Sequence, residues 1–250
     1  MMLATTYSIA DWWLLGIAAF AAGGLNAVAG GGSFLTFPAL VYVGVPPIIA
    51  NATSAFAVTP GYVGGAVGFQ KELKTLDAGA LLRMCLAGIA GGIVGGFLLT
   101  ITTAATFNAI VPALLFLATA VFAFSERIVA LVEISAIPPA PGVFIVSVYG
   151  GYFNGGLGIV LLALFALLGM TSLPLMNGLK NLLSLILSAA SLAVFALGGL
   201  IDWSLGTLMA VFAALGGYAG AQVSRRVSKL LLRMIVVVTG LAMSVIFLLA

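Results

Sequence analysis

Long apolar runs with few polar interruptions recur along this chain. Three of helix-spanning length close each half: 51–69, 78–99 and 103–124 in the first, then 177–197, 203–221 and 230–249 in the second. Each half opens on another apolar segment, 9–28 or 143–153, which runs into a glycine-rich break. A short apolar piece follows, 34–43 or 159–168, and then a turn at Pro46-Pro47 or Thr171-Ser172. A membrane-crossing helix needs about 20 predominantly apolar residues, which the long runs supply. At a helical rise of about 1.5 Å per residue, the short pieces reach only about 15 Å. They are either re-entrant dips or half-helices that complete a crossing with neighbouring backbone.

The two halves also share polar landmarks. Asn26-Ala27-Val28-Ala29-Gly30 resembles Asn154-Gly155-Gly156-Leu157-Gly158, and Asn51-Ala52-Thr53-Ser54-Ala55 lines up with Asn177-Gly178-Leu179-Lys180-Asn181. Leu76-Asp77 matches Ile201-Asp202, and Gly91-Gly92-Ile93-Val94-Gly95 matches Gly216-Gly217-Tyr218-Ala219-Gly220. Subtracting the position numbers gives offsets of 128, 126, 125 and 125 residues. A nearly constant offset over half the chain reads as a duplication.

Charge then chooses a topology. Positive residues collect in cytoplasmic loops. If each short piece turns back, the halves have four crossings, and Lys71, Lys74 and Arg127 fall opposite Arg225, Arg226 and Lys229. If each crosses, the halves have five segments and opposite orientations. Lys71, Lys74, Arg83, Arg127, Arg225, Arg226, Lys229 and Arg233 then share one face, and the other keeps only Asp11 and Asp202. The second arrangement is expected: an all-α integral membrane fold of two inverted-topology repeats, each of about five segments with one short or broken helix. The repeats cover 1–125 and 142–250 and are joined by a cytoplasmic linker at 126–141. Both termini are then periplasmic, in a multi-pass protein of a bacterial inner membrane.

Composition narrows the class. Of 250 residues, 63% are hydrophobic and 6% charged, and mean hydropathy is +1.31. Soluble domains carry about 25% charged residues, so this chain cannot cover a water-facing surface and its solvent is the bilayer. Nine basic residues are too few for a nucleic-acid surface. The single cysteine, Cys85, excludes an internal disulfide and a cysteine metal cluster. The first charge is Asp11, so the first apolar segment lacks a signal peptide's basic start and reads as a retained helix. No nucleotide motif, histidine, deep carboxylate or paired catalytic group is present, so neither an enzyme nor a cofactor is expected.

Inverted repeats with interrupted helices are a transporter architecture, with the substrate held where broken helices meet. Gly30, Gly31, Gly32 and Ser33 form such a break, and Gly156 belongs to its repeat copy. The competing reading is a close-packing glycine patch. Lys180 is a cation inside an apolar helix, costing at least about 2.5 kcal/mol on insertion scales. Either an anionic substrate supplies its partner, or it snorkels to an interface. Asn26, Asn51, Asn154, Asn177 and Asn181, with Thr53 and Ser54, stand at breaks and helix starts. They are neutral donors for a desolvated oxyanion or caps for helix ends. Gly92-x-x-x-Gly96 and Gly216-x-x-x-Gly220 carry helix-packing spacing, which leaves room for a homodimer through glycine-rich faces. Trp12, Trp13 and Trp203 read as interfacial anchors on the outer side.

The stretch from Gly24 to Leu40, Gly-Leu-Asn-Ala-Val-Ala-Gly-Gly-Gly-Ser-Phe-Leu-Thr-Phe-Pro-Ala-Leu, resembles the opening signature of the sulfite exporter TauE/SafE family. Ala50-Asn51-Ala52-Thr53-Ser54 and Gly199-Leu200-Ile201-Asp202-Trp203 resemble further elements of it. The second half departs: its glycine motif is reduced to Gly156-Leu157-Gly158, and Lys180 and Asn181 stand where the first half has Ser54 and Ala55. The resemblance implies a secondary transporter exporting small sulfur-containing anions, sulfite or C2 organosulfonates. The partners are that anion and the lipid bilayer. A passive anion channel and a non-transporting scaffold subunit are the alternatives.

Overall fold

The computed structural model describes residues 7–28, 30–131 and 138–223, with 234, 237–238, 240–242, 244–246 and 248 beyond them. The described residues form helices α1 (Ile9–Val28), α2 (Ser33–Tyr42), α3 (Pro47–Gly68), α4 (Gln70–Leu73), α5 (Ala78–Ile101), α6 (Ala104–Leu131), α7 (Pro139–Tyr152), α8 (Leu157–Leu167), α9 (Leu173–Leu197) and α10 (Trp203–Val223). The protein is an all-α membrane protein. Among the described residues, α1, α5, α6, α9 and α10 are long and apolar enough to cross a bilayer. α7 is shorter, at 14 residues. α3 has the length but carries Asn51, Thr53, Ser54 and Thr59 inside its apolar run. α6 continues to Leu131 and α7 starts at Pro139, so helix occupies both ends of the expected 126–141 linker.

Local chemistry sets the helix starts. Prolines stand in the first turns of α3, α7 and α9, where a missing N–H costs nothing. Asp77 caps α5 by accepting from the Ala80 N–H at 2.7 Å. Gly156 precedes α8 at φ 72°, a left-handed conformation that favours glycine.

Small residues decide the packing. α5 turns Leu82, Leu86, Ile89, Ile93 and Phe97 outward toward lipid. Its other side carries Gly88, Gly91, Gly92, Gly95 and Gly96 against α7 and α9. α1 and α10 meet as closely: a Cβ on Gly220 would contact the backbone of Gly24, and one on Gly216 the Phe20 carbonyl. Both small-xxx-small motifs thus meet partners inside the chain.

The helix directions follow from these contacts. Gly88 lies by Leu183 and Ile186, Gly92 by Leu187, and Gly96 by Ser191 and Val194. The numbers rise together, so α5 and α9 are parallel. Gly91 meets Ser147 and Gly95 meets Val148 and Tyr152, which makes α7 parallel to both. α7 and α9 therefore run the same way, and the break with α8 returns the chain between them. The first half repeats this. α1 is parallel to α10 (Phe20 by Gly216, Gly24 by Gly220). α10 is parallel to α3, with Asp202 and Trp203 at Thr53 and Phe56, and with residues 214–218 lining one cavity together with 60–65. The first helix of each half packs on the fourth membrane segment of the other, counting the short α2 and α8, and α3 crosses α9 at the centre.

Exposed Trp13 and Trp203 share one end of the bundle with Asp11 and Asp202. Exposed Lys71, Lys74 and Arg83 stand at the other, where α3 ends and α5 begins. This is the sorting the charge pattern predicts. Arg225, Arg226, Lys229 and Arg233 lie outside the described residues.

Candidate functional site: two helix breaks at a buried lysine

Asn26 builds the first break. Its side-chain oxygen accepts from the Gly32 N–H at 2.8 Å, folding the glycine loop back onto α1. A Cβ on Gly32 would stand 2.6 Å from the Ala22 carbonyl, so only glycine passes there. Gly30 sits at φ 82°. Gly31, Gly32 and Ser33 are buried, and α2 starts inside the bundle. The second break bends through Asn154, Gly155 and Gly156, with the Tyr149 hydroxyl donating to the Gly155 carbonyl.

The two breaks touch. A Cβ on Gly30 would lie 3.2 Å from the Gly158 Cα, and one on Gly158 would lie 2.9 Å from the Gly30 oxygen. The Lys180 stem passes the same point: its Cδ is 3.5 Å from the position of a Gly30 Cβ and 3.2 Å from that of a Gly158 Cβ. Lys180 is 1% exposed. Seven residues into α9, it stands about 10 Å along the helix, and its burial excludes the snorkelling alternative. Among the described residues, no carboxylate acts on it.

Polar groups surround this junction. Asn154 accepts from Ser33 Oγ at 3.2 Å and Tyr62 OH at 3.4 Å, and donates to Ser188 Oγ at 3.3 Å. One side chain so ties α2 and α3 of the first half to α9 of the second. Asn26 Nδ2 is buried and faces the Tyr62 hydroxyl. A cavity of about 510 Å³ begins at Asn26, Tyr62 and Asn181 and continues past Gly65 to Gly68 and Phe69 at the basic end of α3. Gly61, Gly64, Gly65 and Gly68 give it a wall without side chains.

The remaining sequence candidates stand apart from this cluster. Thr53 accepts from the Asp202 N–H at 3.0 Å, at the end opposite the basic residues. Ser54 pairs with Thr36 at 2.6 Å, joining α2 to α3. Asn177 bonds to the Leu173 carbonyl one turn back, at 3.1 Å on an exposed surface. Asn51 donates from Nδ2 to the Tyr152 carbonyl at 2.8 Å and so closes the end of α7. Replacing Asn51 by Ala is expected to lower stability by about 1–3 kcal/mol, the cost of an unsatisfied acceptor, and to leave anion affinity unchanged. Thermal denaturation with and without ligand checks both. Tyr62 and Ser188 were not sequence candidates. The i, i+3, i+4, i+7 glycines at 61–68 were the available signal for the wall beside Tyr62.

Broken helices meeting inside an apolar bundle, with polar side chains and a cation at the junction, define a multi-pass membrane transporter. The chain belongs to the sulfite exporter TauE/SafE family, whose model matches residues 15–247. A Haemophilus influenzae protein named "Probable membrane transporter protein" is 27% identical over 235 residues, covering 90% of this chain and 89% of that one. The Sinorhizobium "Probable membrane transporter protein ORF9" is 25% identical over 92% of this chain and 89% of its own. For the Escherichia coli K12 "Probable membrane transporter protein YfcA" the figures are 25%, 92% and 88%. No solved structure matches the chain.

Proposed function

We propose that the protein is a secondary transporter that exports small sulfur-containing anions, sulfite or C2 organosulfonates, by alternating access around Lys180. The observation that carries this is a buried cation that has no carboxylate partner among the described residues, set where two helix breaks meet beside a cavity. A cation in hydrocarbon needs a counter-charge or water. A small oxyanion supplies the charge and takes the hydrogen bonds that Asn26, Asn154 and Asn181 offer. The family's name supports sulfite as the type of ion. Halves related as inverted repeats, supported by the exchanged helix contacts, would rock about this junction and expose it to each side in turn.

Thermal stabilisation of the purified protein by sulfite, sulfate, sulfoacetate, taurine and carboxylate analogues tests the reading. Sulfite or a sulfonate should stabilise it and the neutral zwitterion taurine less. A scaffold subunit would respond to none. Residence in a bacterial inner membrane with both termini periplasmic belongs to the same proposal. A reporter active only in the periplasm, fused after Ala250, should be active; an expressed but inactive fusion contradicts the topology.

A further inference from the structure

Lys180, Ser184, Ser188 and Ser191 recur along α9, each 1% exposed or less. At 3.6 residues per turn they fall within an arc of about 80°. The Lys180 stem lies against both breaks, and Ser188 Oγ accepts from Asn154 Nδ2. Ser184 falls between these contacts. It is 0% exposed, yet among the described residues its hydroxyl has no hydrogen-bond partner. Helical serines and threonines commonly return their hydroxyl to a carbonyl one turn back. Thr59 does so to Ala55 and Ser191 does so to Ser188; Ser184 does not. α9 runs away from the basic end, so Ser184 and Ser188 stand one and two turns beyond Lys180 toward the end of the bundle that carries Asp202.

We propose that Ser184 and Ser188, with Asn154, form a second oxyanion subsite on the outward side of Lys180, occupied during translocation. This rests on the reading of Lys180 as the anion's counter-charge. Among the described residues, nothing takes the hydrogen bond that the Ser184 hydroxyl can donate. The Asn154 bonds, all 3.2–3.4 Å, are long enough to be exchanged for bonds to an anion. Neutral donors hold an oxyanion less tightly than an ammonium group does. The anion can therefore leave Lys180 stepwise and still depart, as conduction through successive sites requires.

The test uses the full chain in proteoliposomes, with whichever of sulfite and sulfoacetate stabilises the wild-type protein. Ser184→Ala should keep the binding midpoint within about 2-fold and slow flux by about 10-fold or more, the range for a hydrogen bond to a charged group. Ser184→Thr, which keeps the hydroxyl, should restore most of the flux. If Ser184→Ala does not fold, the near-isosteric Ser184→Cys is read in the same way. Wild-type flux in the variant overturns the subsite, and so does loss of binding as complete as in Lys180→Met. Wild-type binding in Lys180→Met, or stabilisation by neither anion, overturns the underlying reading of Lys180 itself.

Discussion

Lys180→Met should abolish anion-dependent stabilisation while making the ligand-free protein more stable. Each effect has its own cause. Removing one partner of a buried, hydrogen-bonded charge pair costs about 2–5 kcal/mol, so anion affinity should fall by roughly 30-fold at least. Without the anion, the same ammonium group is an uncompensated charge inside an apolar bundle, and insertion scales put that at about 2.5 kcal/mol or more. Methionine keeps the unbranched stem that passes Gly30 and Gly158 and drops the charge. Opposite signs for affinity and stability are the signature of a binding residue. If Lys180 were structural, the variant would be less stable and its anion response unchanged. Thermal denaturation across an anion titration reads both quantities.

Gly216→Val is expected to prevent folding. At this point α1 and α10 touch backbone to backbone, and a Cβ would collide with the Phe20 carbonyl. Overpacking in a yielding core costs about 1–3 kcal/mol; here neither helix can retreat, because Gly23 and Gly220 are locked in the same contact. The variant should give no monodisperse protein on size exclusion in mild detergent. Gly64→Ala is the control, since nothing among the described residues lies within 4 Å of a Cβ there. It should fold, with a gain of up to about 1 kcal/mol from helix propensity. A folded, monomeric Gly216→Val protein would mean that this stripe serves a contact between copies.

The reasons these two positions were legible in the sequence differ. Gly216 belongs to a small-xxx-small spacing, and that spacing has one common use in membrane helices, which the α1–α10 crossing fulfils. Lys180 stands out because charge is rare in an apolar run. The breaks at Gly30 and Gly156 were legible because glycine clusters end helices, and the half-chain offset pointed to their pairing. The contact between them was not: Gly30 and Gly158 are 128 positions apart, and nothing local encodes their meeting. The asparagines divide for a similar reason. Asn26 and Asn181 line the cavity and Asn154 links the halves, whereas Asn51 and Asn177 satisfy helix carbonyls. Residue type alone does not separate a capping amide from a binding one. Tyr62 and Ser184 were missed because hydroxyls in membrane helices usually bond their own backbone. Only the fold reveals that Tyr62 reaches Asn154 and that Ser184 finds no hydrogen-bond partner among the described residues.

Carrier function makes a demand that a channel or a scaffold does not. The site must return between faces, and it returns faster when loaded. The direct test is efflux of labelled sulfite, and separately of labelled sulfoacetate, from proteoliposomes with and without the same unlabelled anion outside. One of the two should leave with saturable kinetics and be accelerated by the external anion, and Lys180→Met should remove both features. Flux linear in concentration and indifferent to the external anion would contradict alternating access, and no protein-dependent flux of either anion would contradict transport of these anions altogether.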